Sequence, residues 1–305
     1  GGVTNETCYP NIMVELDKHF GNVEQSVKDS YKVTKSPSWI IQYWQGVPQS
    51  GAFTAMKNAG YTNRFIGLDL FADNIYADNA ATTQVDPRVI DKMLPFFSEG
   101  YGNASSLYGL GQRAREAVEE ARKKVAAVIN ADPKEIFFTS GGTESDNYAL
   151  RGMMHSRKAN GRKHLITTTI EHPAILQTCK ALEKEGFRVT RLPVDQHGLV
   201  DLKQLEEAIC EDTVLVSIMA ANNEIGTIEP IAEIGKLCHD KGVYFHTDAV
   251  QVVGHMPVDV NSMNIDMLSM SGHKFHAPKG IGALYVKRGV PLFNLIEGGA
   301  QERGK

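Results

Sequence analysis

What this chain lacks narrows its chemistry first. No apolar run approaches the ~20 residues that cross a bilayer, so no membrane-spanning helix is expected. There is no basic surplus either: 32 Lys and Arg against 36 Asp and Glu leave a net charge of −4. That gives nucleic acid or an anionic membrane surface no electrostatic handle. Cysteine is scarce. Cys8, Cys179, Cys210 and Cys238 lie far apart and form no Cys-x-x-Cys pattern, so no metal site and no dithiol motif is expected. The last three fall in helix-like segments, where a buried thiol acting as a small hydrophobe is the expectation. Together these features point to a reducing, cytoplasmic-type compartment. The opening Gly1-Gly2-Val3-Thr4-Asn5-Glu6 has neither a basic stretch nor an apolar core, so it does not read as a signal peptide. Internal repeats and low-complexity segments are also absent.

What is present divides near residue 75. Before it, Asn11 to Phe20 has a weak amphipathic period, Ser38 to Trp44 is aromatic and strand-like, and both tryptophans of the chain occur. This content suits a small packed extension over residues 1–74 rather than a disordered tail. Beyond it the pattern becomes regular. Asp86-Pro87 fits a helix N-cap followed by proline at the first helical position. Gly109 to Asn130 predicts a long helix with Ala114, Ala117, Val118, Ala121, Val125, Val128 and Ile129 on one stripe. Strands are predicted at Glu135–Thr139, His164–Thr169, Phe187–Leu192, Val214–Ala220, Gly242–Thr247, Ile265–Met270 and Ile281–Val286. Helices are predicted at Thr143–Met154, Pro173–Glu185, Leu202–Ile209 and Ile231–Lys241. Alternation of this kind argues for an α/β fold, a mostly parallel sheet covered on both faces.

Several strand ends carry reactive residues. Lys274, in Ser271-Gly272-His273-Lys274, is expected in a short loop at the mouth of the sheet. Desolvation there would lower an amine's pKa and let it attack a carbonyl; alone, such a lysine reads sooner as a surface residue in a turn. Asp248 ends a buried strand, where open α/β sheets bind ligands, although a helix N-cap is an equally good reading of the residue by itself. Ser140-Gly141-Gly142-Thr143 joins a strand to a helix. It is either an anion-binding helix N-terminus or an ordinary βα turn. His172 could stack on a ring and move protons near neutral pH, or simply be exposed. The Asn222-Asn223 pair is a strong turn former.

In combination these residues say more. Asp248-Ala249-Val250-Gln251 followed by Ser271-Gly272-His273-Lys274 resembles the cysteine desulfurases, the pyridoxal-phosphate enzymes of the NifS and IscS type. Tyr76-Ala77-Asp78-Asn79-Ala80-Ala81-Thr82-Thr83, Thr139 to Asn147, Glu171-His172-Pro173-Ala174 and Asn222-Asn223-Glu224-Ile225-Gly226 agree in order. The resemblance runs from about Ile75 to the last residue. It implies a fold-type-I, aminotransferase-like large domain at 89–305 with a seven-stranded, mostly parallel sheet, preceded by an arm at 75–88. It implies pyridoxal 5′-phosphate as cofactor, with Lys274 as the covalent attachment point and His172 stacking on the ring and transferring protons. Asp248 would pair with the ring nitrogen, the group that makes the ring an electron sink. Gln251 and Asn223 would reach the ring oxygen, and Gly142, Thr143, Ser271 and His273 the phosphate. His246 and His276 receive no role.

The implied activity is conversion of L-cysteine to L-alanine with sulfur passed on as a persulfide for iron–sulfur cluster assembly. The implied partners are a second copy of the chain and a sulfur-accepting scaffold. In the family a later loop carries the nucleophilic cysteine and a later arginine binds the substrate carboxylate. Lys274 lies 31 residues from the last residue, and none of the four cysteines matches the nucleophile's place. The expectation is therefore a truncated chain, or part of a longer one, that makes no persulfide by itself. The alternatives are a selenocysteine lyase or other β-lyase, and a degenerate cofactor-binding or scaffold protein without turnover.

Overall fold

The computed structural model describes residues 78–156, 159–299 and 301–304. The expectations for residues 1–74, for Tyr76-Ala77 and for Cys8 lie outside them. The chain divides into two compact units, residues 1–79 and 80–305, and the second unit carries the fold described below.

Seven strands form one sheet: β1 (Ile136–Thr139), β2 (His164–Thr168), β3 (Arg188–Leu192), β4 (Thr213–Ser217), β5 (Tyr244–Asp248), β6 (Met267–Ser271) and β7 (Gly282–Val286). Their spatial order is β1-β7-β6-β5-β4-β2-β3. β7 runs antiparallel to both its neighbours, and every other pair is parallel. β1 therefore points the same way as β6. The carboxyl ends of β1, β2, β4, β5 and β6 lie along a single sheet edge.

Of the interior strands, β2, β4, β6 and β7 are wholly buried and β5 is buried from Phe245 on. They read as near-continuous Val, Ile, Leu, Met and Thr runs because both faces are covered. Successive side chains still go to opposite faces. Leu165, Leu215 and Met267 pack in one cluster with Leu150, Met153, Ile175 and Leu182, from α4 (Gly142–Met154) and α5 (Pro173–Lys184). Ile166, Val216 and Leu268 pack in the other with Ala126, Leu205, Ile234 and Cys238. These come from α3 (Gly109–Val128), α6 (Leu202–Ala208) and α7 (Ile231–Asp240). This is the mostly parallel α/β architecture expected from the sequence.

Local signals explain the boundaries. Asp86 accepts a 2.8 Å hydrogen bond from the Arg88 amide and caps α1 (Pro87–Met93), with proline opening the helix. A second short helix, α2 (Pro95–Ser98), follows. Asp132 and Glu135 form a reciprocal capping box, so the expected start of β1 at Glu135 is instead a 3₁₀ turn over Pro133–Glu135. Two expectations need correction. On α3 the buried face is Gly111, Ala114, Arg122 and Ala126. Of the expected stripe, Ala114 and Ile129 are buried and Val125 packs partly against the core, whereas Ala121 lies with Val125 on an open apolar groove lined by Val89, Met93, Phe96 and Phe97, and Val128 is 56 % exposed. Arg122 takes the core position because its charge is paired there. Cys210 is exposed rather than buried. Ile209 is extended and ends α6, placing Cys210 on the surface beside Arg188.

Candidate active site

The site is assembled where β1, β2, β4, β5 and β6 end. At the end of β1, Gly141 has φ 154° and ψ −177°, a combination essentially restricted to glycine. It turns the chain straight into α4. The first-turn amides of that helix have no partner within the helix. Gly142 opens it and has no room for a side chain: a Cβ would come within 2.9 Å of Val250 Cγ2 and 3.5 Å of Ser271 Cβ. The βα turn is thus pressed against both the β5 and the β6 loops. Thr143 is exposed on the first turn. Glu144 turns back and accepts from the Ser140 amide at 2.9 Å and from its hydroxyl.

At the end of β6, buried Ser271 leads into a 3₁₀ turn, Gly272–Lys274. The segment 80–83 lies across this turn. Thr83 donates its amide and its hydroxyl to the His273 carbonyl, at 2.8 and 2.9 Å. His273 Nδ1 lies 3.0 Å from Thr82 Oγ1. Lys274 Nζ donates to the Ala80 carbonyl and, at 2.9 Å, to that of Ala81. Gln251 Nε2 reaches the same Ala80 carbonyl at 2.9 Å. Lys274 and Gln251 are therefore brought to one point. Burial, with help from the Lys274 and Lys279 charges, pushes the His273 pKa down.

Asp248 closes β5. It is 5 % exposed and accepts a 3.0 Å hydrogen bond from the Val250 amide. Burial pushes its pKa up. The Val250 amide and the fields of His172 and Lys274 oppose that. His172 is the N-cap of α5, its Nδ1 accepting from the Ala174 amide at 3.1 Å; Pro173 fixes the helix start. One carboxylate oxygen each of Asp248 and Asp146 and one ring nitrogen of His172 lie within 4.8 Å of one another. Asp146, on α4, belongs to a motif quoted from the sequence but was not itself singled out. Glu171, next to His172, is also buried. It accepts from Thr168 Oγ1 at 2.7 Å and the Met219 amide at 3.1 Å, and burial pushes its pKa up to about 8. Unpaired acids in a core are costly, so their concentration under one sheet edge is the signal a sequence cannot display.

After β4 it is Asn222, not Asn223, that is buried and tied inward. Its Nδ2 donates to the Ile170 carbonyl at 2.7 Å, and its Oδ1 accepts from the Glu224 and Ile225 amides. Asn223 is half-buried and donates to Glu224 at 2.9 Å. The Asn222 bond fastens the β4 loop to the loop carrying His172.

A family model for class-V aminotransferases matches residues 75–301. The chain belongs to the aminotransferase class-V family. Members of this family and the cysteine desulfurases are pyridoxal-phosphate enzymes. The cysteine desulfurase IscS of Clostridium botulinum is 58 % identical over 231 residues, covering 76 % of this chain and 58 % of that protein. The mitochondrial cysteine desulfurase of Drosophila melanogaster is 54 % identical over 297 residues, covering 95 % of this chain and 64 % of the other. That match takes in part of the stretch before residue 75. Among solved structures, a NifS-like protein superposes with a TM-score of 0.72 at 47 % identity, covering 74 % of this chain and 63 % of its own. SspA in complex with cysteine gives 0.72 at 44 % identity, covering 74 % and 66 %. The class-V chain thus spans about 58 % of the length of the bacterial relative. No helix among the described residues is long and apolar enough to cross a membrane.

Proposed function

We propose that this chain is the cofactor-binding part of a pyridoxal-phosphate-dependent cysteine desulfurase, which converts L-cysteine to L-alanine and passes the sulfur on as a persulfide for iron–sulfur cluster assembly. The observation that carries the reading is the convergence of Lys274, Asp248 and His172 from three different strand ends onto one edge. The fit to the cofactor rests on donor chemistry. A buried acid short of compensation suits a cationic ring nitrogen, a lysine held by nearby carbonyls suits covalent attachment, and the glycine-opened N-terminus of α4 suits a phosphate. When bound, the cofactor supplies a carbonyl carbon for the lysine amine and a ring that withdraws electrons from the substrate's carbons.

The protein's own groups do the rest. Asp248 would hold a proton on the ring nitrogen, its anion favoured by the Val250 amide. His172, with Nδ1 occupied by the Ala174 amide, has only Nε2 for the ring face and for moving a proton. Lys274 would attach the cofactor and, once released by substrate, shuttle a proton at Nζ. Gly142 and Thr143, with Ser271 and His273 alongside, would bind the phosphate. Gln251 would reach the ring oxygen, and Asn223 the same oxygen or the substrate side.

The sulfur-accepting scaffold and a homodimer belong to the same proposal, as does a cytoplasmic location; the relatives named as mitochondrial make that organelle the alternative. The test is reduction with borohydride after loading with pyridoxal phosphate, followed by peptide mapping. The adduct is expected on Lys274 and absent from Lys274→Ala. An adduct on Lys279 or Lys287 would overturn the assignment. With L-cysteine and a reductant, the full-length protein should release alanine and sulfide in equal amounts.

A further inference from the structure

Beneath Asp248 lies a second acid that the reading above leaves unused. Asp146 is 1 % exposed, and its Oδ1 has no hydrogen-bond partner among the described residues. It lies within 4.8 Å of both the Asp248 carboxylate and the His172 ring.

Among the described residues, no Lys or Arg figures in the field at Asp146. From β5, His246 Nε2 approaches to 3.8 Å. Both His246 nitrogens are already engaged, Nδ1 with Ser217 Oγ at 2.9 Å and Nε2 with Ser269 Oγ at 3.0 Å. Burial pushes the His246 pKa down to about 3, so the ring is neutral. From β6, the Ser269 hydroxyl offers Asp146 modest help. From the β2–α5 loop, Glu171 adds another acid. His172 and Lys274 bear on Asp248.

Two carboxylates this close and out of water do not both ionise; the pair holds one proton between them. The environments decide which group keeps it. Burial and then the Asp248 charge drive Asp146 well above the ordinary carboxylate range. Asp248 has the Val250 amide, His172 and Lys274 on the side of its anion.

We propose that Asp146 is a positioning residue that carries the shared proton and directs it at Asp248, fixing Asp248 as the anion that meets the cofactor's ring nitrogen. This rests on the pyridoxal-phosphate reading. His246, locked between Ser217 and Ser269, forms the neutral floor that keeps a competing charge away from the pair.

Two measurements on the full chain test it. The first is infrared spectroscopy of the apoprotein at neutral pH. A protonated-carboxyl band present in the wild type should be lost in Asp146→Asn and kept in Asp248→Asn. A Glu171→Gln protein identifies the band of that neighbouring acid. No band difference between wild type and Asp146→Asn would mean that Asp146 is ionised, and the proposal fails.

The second is the ring-nitrogen chemical shift of bound ¹⁵N-labelled pyridoxal phosphate. Asp146→Asn keeps a hydrogen-bond donor without charge and should leave the nitrogen protonated, as in the wild type. Asp146→Ala should shift it toward the neutral form, with a lower pH at which the proton is lost. An Ala protein like the wild type, or an Asn protein as altered as the Ala protein, would overturn the proposal. If the Ala protein does not fold, the Asn comparison and the infrared band decide. A wild type that takes no reducible cofactor on Lys274 would defeat the underlying reading instead, while the infrared band would still report on Asp146.

Discussion

Arg122 and Asp248 are both charged side chains taken almost wholly out of water, one on the outer helix α3 and one at the end of β5. Arg122 is 2 % exposed, and all three of its side-chain nitrogens donate hydrogen bonds. Nη1 reaches the Ile136 carbonyl at 2.7 Å and Glu302 at 2.8 Å, Nη2 reaches Glu302 at 2.9 Å, and Nε reaches Glu119 at 3.2 Å. The guanidinium also lies 4.8 Å over the Phe138 ring. Glu302 in turn accepts from the Phe138 amide at 2.8 Å. Burial disfavours the cation, yet Glu302 and Glu119 outweigh it and the Arg122 pKa rises.

Asp248 has one amide hydrogen bond, a second acid close by and the fields of His172 and Lys274, and burial still raises its pKa. The first arrangement is a closed one, with each guanidinium nitrogen hydrogen-bonded and two carboxylates beside it. The second is left short of compensation, as a group awaiting a cationic partner would be. A buried charge that is fully paired reads as structure; one that is not reads as a site.

The sharpest way to break this contrast is to open the closed pair. Arg122→Ala leaves the Glu302 carboxylate half-buried without its cation. Removing one member of such a pair costs about 3–5 kcal/mol, and urea denaturation should show it as a lower midpoint. A loss under 1 kcal/mol would mean that the pair is not what fastens residues 301–304 to β1. Gly142→Ala comes next. Its Cβ meets Val250 at 2.9 Å, and overpacking of this kind costs about 1–3 kcal/mol. Because the shifted contact joins the β1 and β5 loops, cofactor affinity measured by absorbance titration should fall along with stability.

Much of this was legible in the sequence, and the exceptions share a cause. Asp86-Pro87 opens a helix and Pro173 another, because capping and proline act locally. Strand positions followed from apolar runs bounded by turns. Lys274, Asp248, His172 and Gln251 were found through motifs, and the fold brings them to one edge because parallel strands end together. What stayed hidden depends on partners far away in the chain. Arg122 is not among the apolar stripe read for α3, and nothing near it in sequence announces Glu302, 180 residues later. Asn222 looked like half of a turn, yet its bond to Ile170 makes it a brace. Asp146 sat inside a recognised motif without a role, because its meaning lies in its distance from Asp248.

Smaller effects sharpen the account further. Glu171 has its pKa raised by burial to about 8. The folded protein thus holds this proton more tightly than the unfolded chain does. The stability it contributes is full below the ordinary glutamate range, about pH 4–5, and is lost as pH rises to about 8. Glu171→Gln should flatten that slope in melting curves taken across the range; an unchanged slope would contradict the assignment. Least in magnitude is a reactivity difference. The exposed Cys210 has its pKa lowered, chiefly by the Thr213 hydroxyl, whereas burial pushes Cys179 and Cys238 up to about 12. Iodoacetamide should label Cys210 first among these three, as mass spectrometry of the folded protein would record.

The most direct test of the contrast is the stability of Asp248→Asn with and without pyridoxal phosphate. Asparagine fills the same space and keeps an acceptor for the Val250 amide while removing the charge. If Asp248 is held uncompensated for a cationic ring nitrogen, the apoprotein should melt at a higher temperature than the wild type, and added cofactor should raise it less. An apoprotein that melts lower, with the full cofactor-induced rise retained, would show that Asp248 is a structural acid and would contradict the account.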